Sequence, residues 1–279
     1  MNDHEIAPLS PLLPKELAAY VGQIDAIEYP PQGTAFQVCI LSSARGRFVL
    51  KTAQTPLMVQ ALIQEGQILT ALQRYAPFVA QPLGKTEGDH GPAFLFTCIE
   101  GEPLHVALKR SHGDERQQLI KEYARALHRV HSWTPDVPRP ADWLTHTLHW
   151  LETHIQARPL DACVAGTNSR FDGKDARQLL AKLQAQRPDL SNDLVFCHGD
   201  YCLPNVLVHD TQVVGVIDWS LGGYGDRRFD LATALFSMRL LLLDQDDFCT
   251  FLQAYGYCEP PQTLDFFEAL HALTCAFWQ

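Results

Sequence analysis

No Cys-x-x-Cys pair and no regular cysteine spacing occur in this chain, although it carries 8 cysteines. That absence excludes a readable disulfide framework or zinc site, so Cys39, Cys98, Cys163, Cys197, Cys202, Cys249, Cys258 and Cys275 are expected to be buried thiols in a reducing cytoplasm. Positive charge is scarce: 22 Lys and Arg stand against 32 Asp and Glu, a formal net charge of -10. The resulting field repels phosphate backbones and anionic headgroups, which argues against nucleic acid or a membrane surface as a partner and suits a cationic small molecule. Long apolar runs are missing as well. A run such as Leu240 to Leu243 falls far short of the roughly 20 residues that span a bilayer. Met1 to Pro14 carries Asp3, His4 and Glu5 where a secretory signal would be basic and then apolar, so no such signal is expected. Internal repeats and low-complexity segments are absent too.

A length of 279 residues with 46% hydrophobic content is enough for a large core, at the edge between one domain and two. The first hundred residues read mainly as strands, over Ala35 to Ser42, Gly46 to Ala53 and Pro92 to Ile99. One helix interrupts them, with Thr55 as N-cap, Pro56 at the first position, and Leu62, Leu69 and Leu72 at helical spacing up to about Gln73. After Glu100-Gly101-Glu102-Pro103 the character changes to amphipathic helices: Asp114 to His131, Trp143 to Ile155, Asp175 to Gln186, Leu231 to Leu242, Gln245 to Tyr255, and Gln262 to about Cys275. Short apolar strands return between Leu194 and Trp219. The expectation is an α+β fold in two lobes. A strand-rich N-lobe with one main helix would cover 1–101, and a mainly helical C-lobe 102–279.

The chemistry concentrates in Val195-Phe196-Cys197-His198-Gly199-Asp200, then Asn205, then Val206-Leu207-Val208, a polar turn, and Val213 to Ile217 ending in Asp218. Two short strands joined by a turn form a hairpin, so Asn205 entering it and Asp218 leaving it arrive at the same end. An amide oxygen beside a carboxylate suits a hard, oxygen-seeking cation such as Mg2+. Asp200, on the turn before that edge, can accept a proton from an attacking hydroxyl. The spacing from His198 through Asp200 to Asn205 matches the kinase catalytic loop, with Asp218 at the place of the kinase metal-binding aspartate. His198 reads as a brace for this loop rather than a proton carrier. His128 and His131, three apart on a helix, read as structural.

Phosphoryl transfer also needs a cation on the nucleotide phosphates. Lys51 lies on the strand Phe48-Val49-Leu50-Lys51, and Glu65 is the one carboxylate of the helix that follows, so a Lys51 to Glu65 pair would aim the ammonium at the α- and β-phosphates. Val49 on the same strand is counted with the nucleotide contacts. Backbone N-H groups around Gly33, Thr34 and Ala35 can meet phosphate, although this turn has one glycine where a protein kinase loop has three. The Thr97 carbonyl and Ile99 amide are the backbone edges expected to meet adenine.

These residues resemble the aminoglycoside phosphotransferase family, most closely its 3'-phosphotransferase branch. The resemblance is densest in His198-Gly199-Asp200-Tyr201-Cys202-Leu203-Pro204-Asn205, in Gly215-Val216-Ile217-Asp218-Trp219, and in Gly225-Asp226-Arg227-Arg228-Phe229-Asp230-Leu231-Ala232. It implies the two-lobed protein-kinase-like fold and Mg2+-dependent transfer of the γ-phosphate of ATP or GTP to a hydroxyl, with Asp200 as base and Asn205 and Asp218 as metal ligands; a monomer or dimer is expected. Asp230 is then expected to anchor the catalytic loop through hydrogen bonds. The C-terminal helix departs from the pattern. Where that branch carries an Asp-Glu-Phe-Phe-like segment that holds substrate ammoniums, this chain has His271-Ala272-Leu273-Thr274. Asp161, Asp172 and Glu268 are the acidic residues that could compensate. An aminoglycoside is the first acceptor expected, and a macrolide or a metabolite such as choline, thiamine or a sugar amine the alternative. A nucleotide-binding module without catalysis has no need of the full Lys51, Asp200, Asn205 and Asp218 set, and a metal-dependent phosphoesterase would need more histidines near these carboxylates.

Overall fold

The computed structural model describes residues 13–30, 36–88, 91–157, 163–164, 170–188 and 194–276. Gly33, Thr34, Ala35 and Asp161 lie outside the described residues. The chain opens with a short helix α1 (Lys15–Val21) and β1 (Ile24–Glu28), followed by β2 (Gln37–Ser43) and β3 (Gly46–Thr52). Helix α2 (Pro56–Ala71) comes next, then β4 (Pro82–Gly88) and β5 (Gly91–Thr97). The five strands form one antiparallel sheet in the order β1-β2-β3-β5-β4. Thr55 caps α2 as its spacing suggests: the Thr55 hydroxyl accepts from the Met58 N-H at 3.3 Å, with Pro56 at the first turn. One face of the sheet packs under α1 through Leu17, Val21, Cys39, Leu41, Leu50 and Leu95. The other belongs to the main core beside α2.

Beyond Thr97 the chain crosses in extended form to β6 (Glu102–Pro103), which pairs with a strand of the second lobe. There follow α3 (Leu104–Arg110), α4 (Gly113–His131), α5 (Trp143–Gln156) and α6 (Ala176–Ala185), then β7 (Val195–Cys197), β8 (Val206–His209), β9 (Gln212–Val216) and β10 (Gly223–Gly225). The chain closes with α7 (Arg227–Leu240), α8 (Gln245–Tyr255) and α9 (Asp265–Cys275). This is the two-lobed α+β arrangement the sequence predicts. Strands β8 and β9 form the expected hairpin, with Val206 opposite Val216 and the left-handed residue Asp210 in the turn.

The structure adds elements the periodicity misses. β1 and β4 are the edge strands of the sheet, and β4 contains Pro82, Gly84 and Gly88, so neither shows a clean alternation. α1 and α3 are seven residues each, too short for a pattern to declare itself. α7 starts a turn earlier than predicted because Asp226 caps it, its side chain accepting from the Arg228 N-H at 2.9 Å. The cysteines also correct the expectation: Cys39 and Cys197 are buried, but Cys163, Cys249 and Cys258 are exposed, and none of the eight is in a disulfide. No helix among the described residues is long and apolar enough to cross a membrane.

A single large core runs from α2 through both lobes, and one pair of tyrosines ties it to the loop that matters. Tyr123 on α4 and Tyr201 beside Asp200 are fully buried and stacked, with ring centroids 4.8 Å apart. Each hydroxyl donates to the other residue's carbonyl, at 2.7 Å and 2.8 Å. Removing one hydroxyl strands a buried carbonyl, so Tyr123→Phe is expected to lower stability by about 1–3 kcal/mol in urea denaturation. An unchanged midpoint would show that the reciprocal bonds do not fasten this loop to α4.

Candidate active site

The loop between β7 and β8 is shaped by its backbone. His198 and Gly199 present their N-H groups to one carboxylate: Asp230, in the first turn of α7, accepts from His198 N at 2.7 Å and from Gly199 N at 2.9 Å. Asp230 is completely buried, and its third partner is His131 Nε2 at 3.1 Å, whose Nδ1 meets the Tyr255 hydroxyl at 2.7 Å. Gly199 is obligatory in this turn. Its φ is +84°, and a Cβ there would lie 2.2 Å from the Leu221 carbonyl oxygen. His198 is a brace in geometric terms: Nε2 lies 2.9 Å from the Ile217 carbonyl and Nδ1 accepts from the Asp200 N-H at 3.2 Å, tying the loop to the end of the hairpin.

The loop thereby delivers Asp200 next to Asn205. The Asn205 amide nitrogen donates to the Asp200 carbonyl at 3.0 Å and to its Oδ2 at 3.1 Å, which leaves the amide oxygen of Asn205 as the atom available to a cation. Asn205 and Asp218 are brought together as the hairpin geometry requires: the ladder continues past Val206 and Val216 with Ile217 N-H donating to the Asn205 carbonyl at 2.9 Å. Asp218 has φ +66°, a left-handed conformation unusual for a non-glycine residue, and such strain clusters at functional sites. An amide oxygen and a carboxylate on adjacent backbone, with the Asp218 side chain 34% exposed, are a donor set that fits Mg2+.

Lys51 reaches this point from the other lobe. Its ammonium lies 2.7 Å and 2.9 Å from the two oxygens of Glu65 and 3.4 Å from Asp218 Oδ1. Burial works against the charge, yet Asp218 and Glu65 outweigh it and raise the Lys51 pKa above its ordinary value. Glu65 is 2% exposed and also accepts the Trp219 N-H at 3.3 Å, so α2, β3 and the end of the hairpin share one ionic contact. Val49 lies on the same face of β3 as Lys51 and is half-buried. Thr97 is the last residue of β5, its N-H donating to the Gln81 carbonyl at 2.9 Å, and Ile99 follows in the crossing segment, packed where a side chain on Gly215 would stand.

Two features escape a reading of spacing. Glu268 is buried in α9 and engaged by Arg170 at 3.1 Å and by Arg239 at 2.5 Å, so its charge is already matched; Asp172 is exposed. His271, also on α9, places Nε2 at 3.7 Å from Asp200 Oδ1. Burial pushes the Asp200 carboxyl up, but His271, His198 and Asn205 prevail and hold it below the usual carboxylate range. Only the distance along the chain hid His271, since nothing local marks a helical histidine as facing a remote loop.

The sheet with its lysine, the crossing segment, and the loop and hairpin beneath it place the chain in the class of kinase-like phosphotransferases. Residues 26–264 match the phosphotransferase enzyme family, and the chain belongs to that family. It is 35% identical over 103 residues to a streptomycin 3''-kinase of Streptomyces griseus, a match spanning 35% of this chain and 38% of that protein. It is 37% identical over 174 residues to an aminoglycoside 3'-phosphotransferase of Niallia circulans, covering 59% of this chain and 65% of the relative. The chain therefore spans less than two thirds of the length of either relative. In fold it is similar to the aminoglycoside phosphotransferase APH(3'')-Id of Streptomyces rimosus, with a TM-score of 0.68 and 22% identity over 87% of this chain and 94% of that one.

The Asp230 anchor gives a direct prediction. Asp230→Ala removes the acceptor of two buried amides and of His131, each orphaned donor costing about 1–3 kcal/mol. A loss of at least about 3 kcal/mol in chemical denaturation is expected, and a loss under about 1 kcal/mol would mean that the loop holds its shape without this carboxylate.

Proposed function

We propose that this protein transfers the γ-phosphoryl group of ATP or GTP to a hydroxyl of an aminoglycoside antibiotic, conferring resistance by O-phosphorylation. The observation that carries the reading is the convergence of Asp200, Asn205, Asp218 and Lys51 at one point between the lobes. Asp200, held ionised and with its side chain 35% exposed, takes the proton of the attacking hydroxyl. Asn205 and Asp218 would hold Mg2+, which when bound supplies neutralisation of charge on the phosphate oxygens. Lys51, oriented by Glu65, faces the α- and β-phosphates. Val49, the Thr97 carbonyl and the Ile99 amide take the base, and backbone N-H groups of Gly33, Thr34 and Ala35, which lie outside the described residues, would meet the phosphates. The lobes divide at residues 101 and 102, with the crossing segment as hinge, in a monomer or dimer working in the reducing cytoplasm.

The family and the activities for which the two relatives are named support an aminoglycoside as acceptor, and the net charge of -10 favours a polycation. One observation favours a second reading, a kinase of the same fold for a macrolide or a metabolite such as choline, thiamine or a sugar amine. The α9 residue facing the base is His271, and the nearby carboxylate of Glu268 is taken up by two arginines.

Purified protein with Mg2+ and ATP or GTP, offered kanamycin, neomycin, streptomycin, a macrolide, choline and thiamine, is expected to phosphorylate at least one aminoglycoside. Asp200→Ala should lose about 10²- to 10⁴-fold in turnover while thermal stabilisation by the nucleotide persists. Transfer to a macrolide or metabolite alone selects the second reading, and no transfer to any acceptor contradicts both.

A further inference from the structure

The two oxygens of the Asp200 carboxylate have neighbours from different elements. Oδ2 accepts from the Asn205 amide at 3.1 Å and lies 3.9 Å from Cys202 Sγ, so the hairpin and loop hold that edge. Oδ1 faces His271 Nε2 at 3.7 Å, so α9 holds the other. His271 is 3% exposed and sits between the rings of Phe229 and Phe236 on α7, at centroid distances of 5.9 Å and 5.2 Å. The titratable groups facing it are Asp200 from the catalytic loop and Cys275 one turn on along α9, with Sγ 3.3 Å from Nε2. From α7 it meets the two phenylalanine rings. Packing against two phenylalanine rings limits the room the imidazole has, and a cation at that place would favour one rotamer of the Asp200 carboxylate.

We propose that His271 is a positioning residue for the phosphoryl-transfer reaction: as an imidazolium it fixes Oδ1 of Asp200, completing from α9 the grip that Asn205 exerts on Oδ2. This rests on Asp200 being the base. Its physical logic is that a general base must meet the hydroxyl in one orientation, and displacement of about 1 Å can cost on the order of 100-fold in rate. A hydrogen-bonded amide alone constrains one oxygen and leaves rotation about the side chain open, whereas a second contact from a different element closes it. Burial lowers the His271 pKa, but Cys275 and Asp200 overcome it and raise it to about 10.

Nitrogen-15 NMR of the imidazoles in the full chain separates this inference from the functional reading. In the wild type the His271 ring is expected to stay protonated through neutral pH and to titrate well above the ordinary value of about 6.5. Asp200→Asn is expected to move that titration down. A midpoint near 6.5, or one indifferent to Asp200→Asn, overturns the proposal whether or not any acceptor is phosphorylated. With kanamycin and Mg·ATP or Mg·GTP, His271→Gln, which keeps a hydrogen-bonding group but no charge, should lose about 10- to 100-fold in kcat with the nucleotide KM held within about 2-fold. His271→Gln with wild-type kcat also overturns it, while a wild type that phosphorylates nothing refutes the functional reading and leaves the NMR result to decide on His271. Stability gives a third readout that needs no acceptor. A group whose pKa is raised on folding stabilises fully below its unfolded value and loses that contribution as pH rises through the folded one. The urea-stability gap between wild type and His271→Gln should therefore be widest near pH 6 and close as pH approaches 10; a gap that does not change with pH contradicts a charged His271.

Discussion

One buried carboxylate, that of Asp230, fixes the shape of the loop on which the site is built. It sits in the first turn of α7, where the helix macrodipole favours a negative charge, and it spends that charge on the amides of His198 and Gly199 and on His131. A turn with a left-handed glycine would otherwise leave those two N-H groups buried without partners, at a cost large enough to select another conformation. With them satisfied, His198 can reach the Ile217 carbonyl and Asp200 can reach Asn205. Tyr123 and Tyr201 then fasten the same loop to α4. Loop, hairpin, α4 and α7 form one rigid support, and the reactive side chains stand on it.

Electrostatics join the two lobes at that support. Lys51 and Glu65 come from the sheet and α2, Asp218 from the hairpin, and the three meet in one ionic cluster around a buried ammonium. A second cluster, Asp200 with Asn205 and His271, lies on the α9 side. Such charges are costly to bury unless each has a partner, and here each carboxylate has a cation or amide within reach. Asp218 is about as open as Asp200 and is held in a left-handed backbone conformation, with the Lys51 ammonium and the Ser220 hydroxyl as its partners.

Much of this site is legible in the sequence because its parts are local. The β8 to β9 hairpin follows from two short apolar runs and a polar turn, and hairpin geometry alone brings Asn205 and Asp218 together. The Lys51 to Glu65 contact follows from a strand and a helix with a single carboxylate on it. Contacts that depend on packing between distant elements are not legible. His271 on α9 and Trp219 N-H on Glu65 need the folded core to bring them in. Edge strands such as β4, with proline and glycines, have lost the alternation by which a strand declares itself, and the three exposed cysteines, of which Cys249 is on α8, follow from which side of each segment faces out rather than from spacing.

The central claim is that Asn205 and Asp218 at the end of the hairpin hold the cation that docks a nucleotide against Lys51. Calorimetric titration of ATP and GTP into wild type and Asp218→Ala, with and without Mg2+, tests it most directly. The account predicts that Mg2+ tightens nucleotide binding in the wild type by at least about 10-fold, about 1.4 kcal/mol, and that Asp218→Ala abolishes the Mg2+ effect while keeping the fold. Equal tightening by Mg2+ in both proteins would contradict it.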